Sequence, residues 1–179
     1  IPNTGSGTVS GYFDDPDALA AEAARWSGRA AGVYLTLNPV NRDLMARAAN
    51  KTKPWVKHTT SDSDMTGRHW LFVDIDPERP AGISASDAEH QAALDRGHEI
   101  YQFLVRDMEL PPGSLVLGDS GNGCHLLVRI DLPNDPESDN LITRCLEALS
   151  LLFSDDLVTV DTGVANAARL VKVPGTLAA

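Results

Sequence analysis

Between His69 and Asp76 apolar and polar side chains alternate, the period of a strand with one buried face: Leu71, Val73 and Ile75 fall on one side, and Trp70, Phe72, Asp74 and Asp76 on the other. Ser86-x-x-Glu89 then forms a capping box, which predicts a helix from there to about Met108, stopped by Pro111-Pro112-Gly113. Residues 114–118 and 124–130 are strand-like and are separated by Asn122-Gly123, a pair suited to the positive φ angles of a tight hairpin. Asp135 caps and Pro136 opens a second helix, with an apolar stripe through Leu141, Ile142, Cys145, Leu146, Leu149, Leu152 and Phe153. Residues 157–160 predict a short last strand. Upstream, Asp15 and Pro16 start a helix running to Trp26, Gly28 and Gly32 bracket its end, a strand follows over 32–37, and a second short helix is predicted over 43–49. The pattern divides the chain into a small αβ lobe with a basic segment over 1–68 and a β-α-β-β-α-β region over 69–179.

That order predicts an α+β fold, a ferredoxin-like or RNA-recognition-motif-like (RRM-like) antiparallel sheet with both helices on one face and the other face open. The first strand of the region lies centrally in this topology, flanked by the third and fourth. In the third strand Cys124, Leu126, Val128 and Ile130 go toward the helices and His125, Leu127 and Arg129 to the open face; in the fourth, Val158 and Val160 go in, and Thr159 and Asp161 out. Asp74, Asp76, His125 and Asp161 therefore share one patch. Asp74 and Asp76 stand about 6 to 7 Å apart by the rise of a strand. Crowded carboxylates repel, and a divalent cation relieves that repulsion while leaving positions for phosphate, the arrangement of two-metal phosphoryl transfer. Singly, each signal has a plainer structural meaning: Asp-x-Asp-Pro as a turn cap, Ser120-Gly121-Asn122-Gly123 as a hairpin loop, His125 as a strand histidine. Their combination, with Arg169 and Lys172 downstream, points to chemistry.

Composition narrows the partners. The chain has 179 residues, 42% hydrophobic, with 15 Lys+Arg against 25 Asp+Glu and a net charge of −10, so it does not coat nucleic acid indiscriminately and any such contact must be local. The basic neighbourhood is Arg42, Arg47, Lys51, Lys53, Lys57 and Arg68. Within it Lys51, Lys53, Trp55 and Lys57 set cations around an aromatic ring, a combination that holds phosphates and stacks a base; the alternative is a solvated linker whose tryptophan is pinned to the core. Two cysteines, Cys124 and Cys145, form neither a disulfide framework nor a CxxC pair, so no zinc is expected. No apolar run is long enough for a membrane span and no secretory leader is visible, which suggests a cytoplasmic protein. The missing initiator Met and the end without a polar tail suggest a domain cut from a longer chain.

The motifs resemble those of the archaeo-eukaryotic primase superfamily, in particular the primase-polymerase domains of bacteriophage and plasmid replication proteins. Leu71-Phe72-Val73-Asp74-Ile75-Asp76 looks like that family's first motif, Ser120-Gly121-Asn122-Gly123-Cys124-His125 like its second, and Val160-Asp161 like its third; the stretch from Arg169 to Thr176 looks like the basic segment that follows. The resemblance implies template-directed nucleotidyl transfer, making and extending primers from NTPs or dNTPs on single-stranded DNA. Asp74, Asp76 and Asp161 would be catalytic and hold two Mg²⁺ or Mn²⁺ ions. Ser120, His125, Arg169 and Lys172 would contact the triphosphate, and a helicase domain would lie further along the same chain. The zinc-binding insertion of some members is absent. Three other readings compete: a nucleotidyl cyclase, an RRM-like nucleic-acid-binding module, and a rolling-circle nicking endonuclease, the last of which wants a His-x-His pair that the chain lacks.

Overall fold

In chain order the elements are β1 (Ser10–Tyr12), α1 (Pro16–Trp26), β2 (Tyr34–Thr36), β3 (Lys51–Lys53), β4 (Arg68–Pro77), α2 (Asp87–Arg106), β5 (Leu115–Asp119), β6 (Cys124–Leu132), α3 (Pro136–Phe153), β7 (Val158–Val160) and β8 (Leu170–Lys172). They are taken from a computed structural model, which describes residues 7–80 and 82–177. Two units emerge: one is Gly67–Ala167, and the other joins residues up to Thr66 with the segment from Ala168 onward. This differs from the expected division into 1–68 and 69–179. The reason is β8, which pairs antiparallel with β2, Tyr34 opposite Lys172 and Leu35 opposite Val171. The described residues from Ala168 on thus belong with the first unit.

The 67–167 unit is an α+β layer whose four strands lie in the order β5-β6-β4-β7, every neighbour antiparallel. The alternation read from the sequence holds through the middle of β4. Val73 and Ile75 are fully buried on the helix side with Leu126, Val158 and Val160, and meet Ile100 of α2 and Leu146 of α3 in the core. Close approach of α2 depends on Gly97, where a Cβ would stand 2.3 Å from Cys124 Sγ. Both helices begin as expected: Ser86 and Glu89 form the reciprocal capping box of α2, and the Asp135 carboxylate accepts from Ser138 N ahead of Pro136 in α3. At its N-terminal end β4 carries a register shift between Arg68 and Trp70. There the buried Arg68 donates to Asp139 of α3 at 2.7 Å and to the Ala165 carbonyl at 2.6 Å.

The other unit holds two short ribbons, β1 with β3 and β2 with β8, beside α1. Asp15 caps α1 by accepting from Asp17 N and Ala18 N, and Gly28, at φ +69°, takes the chain away from its end. The helix expected over 43–49 is instead a 3-10 helix at Arg42–Arg47, and the basic segment, for which a solvated linker is the alternative reading, is partly strand, Ser10 facing Lys53 and Tyr12 facing Lys51. Three-residue strands carry too little alternation to be read. Among the described residues no helix is long and apolar enough to cross a membrane.

Candidate functional site

The open face of the 67–167 sheet is organised in cross-strand rows. Asp76 lies opposite Thr159; Asp74 lies opposite His125, which faces Gly118; Phe72 lies opposite Leu127, which faces Val116; Trp70 lies opposite Arg129. Strand parity thus brings Asp74, Asp76 and His125 together as expected. His125 Nε2 stands 3.3 Å from Asp74 Oδ1. Its ring meets the Phe72 ring edge-on, with centroids 4.9 Å apart, which fixes the imidazole from the opposite side.

Asp76 is the electrostatically strained member. Burial raises its carboxyl above the ordinary carboxylate value, and the Asp74 charge adds in the same direction, as does Asp161 more weakly; Arg79 and His125 oppose the shift. The arginine is not in close contact, its nearer nitrogen lying 4.0 Å from Asp76 Oδ1. Against Asp76 packs the backbone of Gly123: a Cβ there would lie 2.4 Å from the Ile75 carbonyl and 2.8 Å from Asp76 Oδ1.

The glycine loop between β5 and β6 is built differently from expectation. The positive φ belongs to Gly121, at +94°, and neither Asn122 nor Gly123 adopts one. Gly123 is required for close approach instead. Ser120 closes the loop, its N–H donating to the Gly123 carbonyl at 3.1 Å and its Oγ accepting from Gly123 N at 2.9 Å. Two further anchors escaped the sequence reading: Asn122 Oδ1 accepts from Ala85 N, and Asp119 Oδ1 accepts from Gly121 N while contacting His90 Nε2 of α2 at 2.9 Å. The contacts to Ala85 and His90 cross between segments distant in sequence, so only the fold reveals them. Buried beside the loop, the Cys124 thiol is pushed up to about 11 by desolvation and by the Asp119 and Asp74 charges, which keeps it protonated and unreactive.

Asp161 corrects one expectation. It follows β7, and its N–H donates to the Asp74 carbonyl at 2.9 Å, but its Oδ1 turns to cap the 3-10 helix Thr162–Val164 by accepting from Gly163 N at 2.7 Å. Among the described residues no group of three or more His, Cys, Asp or Glu side chains is arranged to hold a metal ion. The carboxylates on the face of the central strand are Asp74 and Asp76, and Asp161 lies near enough for its charge to act weakly on Asp76 while its Oδ1 caps its own helix.

The remaining expected site residues belong to the other unit. Lys172 lies in β8 opposite Tyr34. Arg169 lines a cavity of about 1090 Å³ with Tyr12, Glu22, Asn38, Arg42 and Thr52. Lys51, Lys53, Trp55 and Lys57 are all exposed, Trp55 at 69%, so the tryptophan is not pinned to a core. Its backbone is held at φ +55°, and its ring lies over Gly7, where a Cβ would come within 2.6 Å. No family model matches the chain, and no curated protein matches it.

Proposed function

We propose that the chain is a primase-polymerase domain of the archaeo-eukaryotic primase type, with a ferredoxin-like catalytic sheet, that adds nucleotides to a primer on a single-stranded DNA template. The observation that carries this reading is the pairing of Asp74 and Asp76 on the open face of the central strand, with His125 opposite Asp74 and the glycine loop pressed against Asp76. Such a pair fits Mg²⁺ or Mn²⁺, since a small hard cation commonly takes one or two protein carboxylates and completes its shell with water and phosphate oxygens. Burial first, and the Asp74 charge second, raise the Asp76 carboxyl, and a cation between the two carboxylates would oppose both. Bound there, the ion supplies Lewis acidity that activates the primer 3′-hydroxyl and offsets charge on the phosphates.

The side chains divide the remaining work. Asp74 and Asp76 hold the cation. His125, oriented between Asp74 and Phe72, donates an N–H to a phosphate oxygen of the incoming nucleotide. Ser120 keeps the loop closed so that Gly123 leaves the carboxylates accessible. Asp161 fixes the backbone at Asp74, and with its Oδ1 held by Gly163 N its other oxygen would face a second ion. Arg169 and Lys172 enter this reading through the family resemblance. The exposed Trp55 with Lys51, Lys53 and Lys57 supports a template-strand contact, and a helicase in a longer chain would be the natural partner.

Primer extension tests the reading. With a labelled primer, a single-stranded template, dNTPs and Mg²⁺ or Mn²⁺, the chain should extend, and Asp74→Asn and Asp76→Asn should each lower the rate by about 10² to 10³ or more, the scale of removing one electrostatic contact at a reacting centre. Near-normal extension by either variant would refute the assignment. That no three-ligand group is arranged among the described residues favours one other reading, a metal-free nucleic-acid-binding module; oligonucleotide binding without metal-dependent incorporation would select it.

A further inference from the structure

At the end of the open face remote from Asp76, Trp70 and Arg129 sit directly opposite one another on β4 and β6. The Arg129 guanidinium carbon lies 5.5 Å from the Trp70 ring centroid, within the range of a cation–π contact. Arg129 is exposed and Trp70 half-buried. Among the described residues no carboxylate lies within ion-pair distance of Arg129; the nearby Asp131 stands instead 3.8 Å from His69. An exposed cation over a ring adds only modestly to stability, so the pair has charge and ring surface to spare for a ligand. A guanidinium held beside an indole offers a fork for phosphate, and the indole offers a surface on which a base can stack.

Position selects the strand that fits. Trp70 and Asp74 are four residues apart on the same face of one strand, about 13 Å by the strand rise. That is about the length of four stacked nucleotides. Phe72, between them, is buried against His125 and leaves the contact to the flanking rows. We propose that Trp70 and Arg129 seat the primer strand upstream of its 3′ end, Arg129 on a backbone phosphate and Trp70 beneath a base. The proposal rests on the reading of Asp74 and Asp76 as the reaction centre, because that reading puts the 3′-hydroxyl at the other end of this face. It adds a primer-length requirement: a dinucleotide ends before reaching the pair, whereas a strand longer than about four nucleotides engages it.

The test measures binding of a fluorescent single-stranded oligonucleotide by anisotropy, across a salt series, for wild type, Arg129→Ala, Arg129→Glu, Trp70→Phe and the Asp74→Asn/Asp76→Asn pair. Arg129→Ala should weaken binding about tenfold and reduce the salt slope by about one. Arg129→Glu should weaken it further, Trp70→Phe should weaken it less, and the carboxylate variants should keep it. In extension assays Arg129→Ala should raise KM for a long primer and leave that for a dinucleotide unchanged. Unchanged affinity and salt slope in Arg129→Ala, or equal KM effects at both primer lengths, would overturn the proposal. Metal-dependent nucleotide binding, followed separately, reports on the carboxylate site alone: its loss in Asp74→Asn/Asp76→Asn with the Arg129 effect absent refutes the seat and spares the reaction centre. An Arg129 effect on oligonucleotide binding without metal-dependent nucleotide binding refutes the reaction centre.

Discussion

Gly123 shows how much one residue without a side chain can decide. Its φ is ordinary, so the case for glycine is contact alone: a Cβ would collide with the Ile75 carbonyl and with Asp76 Oδ1. Gly123→Ala should cost about 1 to 3 kcal/mol, the range for forcing extra volume into a packed site, and should disturb the carboxylate pair as well. Gly113→Ala, where nothing lies within 4 Å of the added carbon, should stay within about 0.5 kcal/mol. Urea denaturation of the two variants makes the comparison, and equal stability would show that the loop relaxes away from Asp76. The sequence marked Asn122-Gly123 as a turn, correctly in place but with the wrong residue in the left-handed region, because the loop spans Ser120 to Gly123 and Gly121 takes the bend.

At the scale of elements, the joints between strands and helices are polar and specific. Asp155, just after α3, accepts from Leu157 N and Val158 N at the start of β7 and from Arg96 of α2 at 2.7 Å. The Arg96 hydrogen bond, followed by the two backbone donors, lowers its carboxyl to about 2. A carboxylate depressed on folding stabilises the native state above its ordinary value of 3.8 and loses that contribution as pH falls through about 2. Asp155→Asn should therefore be less stable than wild type near neutrality, with the difference shrinking below pH 3.8 and gone once the pH is under about 2. Thermal melts across that range check it, and a difference independent of pH would mean that the side chain acts by shape and neutral hydrogen bonding. Helix starts were legible because capping is local: Asp15, Ser86 and Asp135 each act on backbone within three residues. β8 was not legible, since its partner β2 lies more than a hundred residues away.

For the whole molecule, a net charge of −10 concentrates interest on where cations can bind. A divalent ion that binds the folded chain and not the unfolded one raises stability by mass action, by about 2.7 kcal/mol at a hundredfold excess over Kd. For a chain of this size that corresponds to a rise of roughly 5 to 10 °C in Tm. Mg²⁺ or Mn²⁺ should raise the melting temperature of the wild type and leave that of Asp74→Asn/Asp76→Asn unchanged; an equal rise in both would place ion binding elsewhere on the acidic surface.

The sequence by itself determined what depends on near neighbours and on period: the capped helices, the strand faces, the β-α-β-β-α-β order, and the sharing of one side of a strand by Asp74 and Asp76. These follow from the two-residue repeat of a strand and from side chains that satisfy backbone within one turn. Tertiary structure alone decided what depends on register and on distant partners. It set His125 against Asp74 and Arg129 over Trp70, and it returned β8 to β2. It also turned Asp161 to cap its own 3-10 helix, where parity had aimed it at the patch. A carboxylate just past the end of a strand is no longer bound by the strand's alternation, and the nearest backbone N–H takes it.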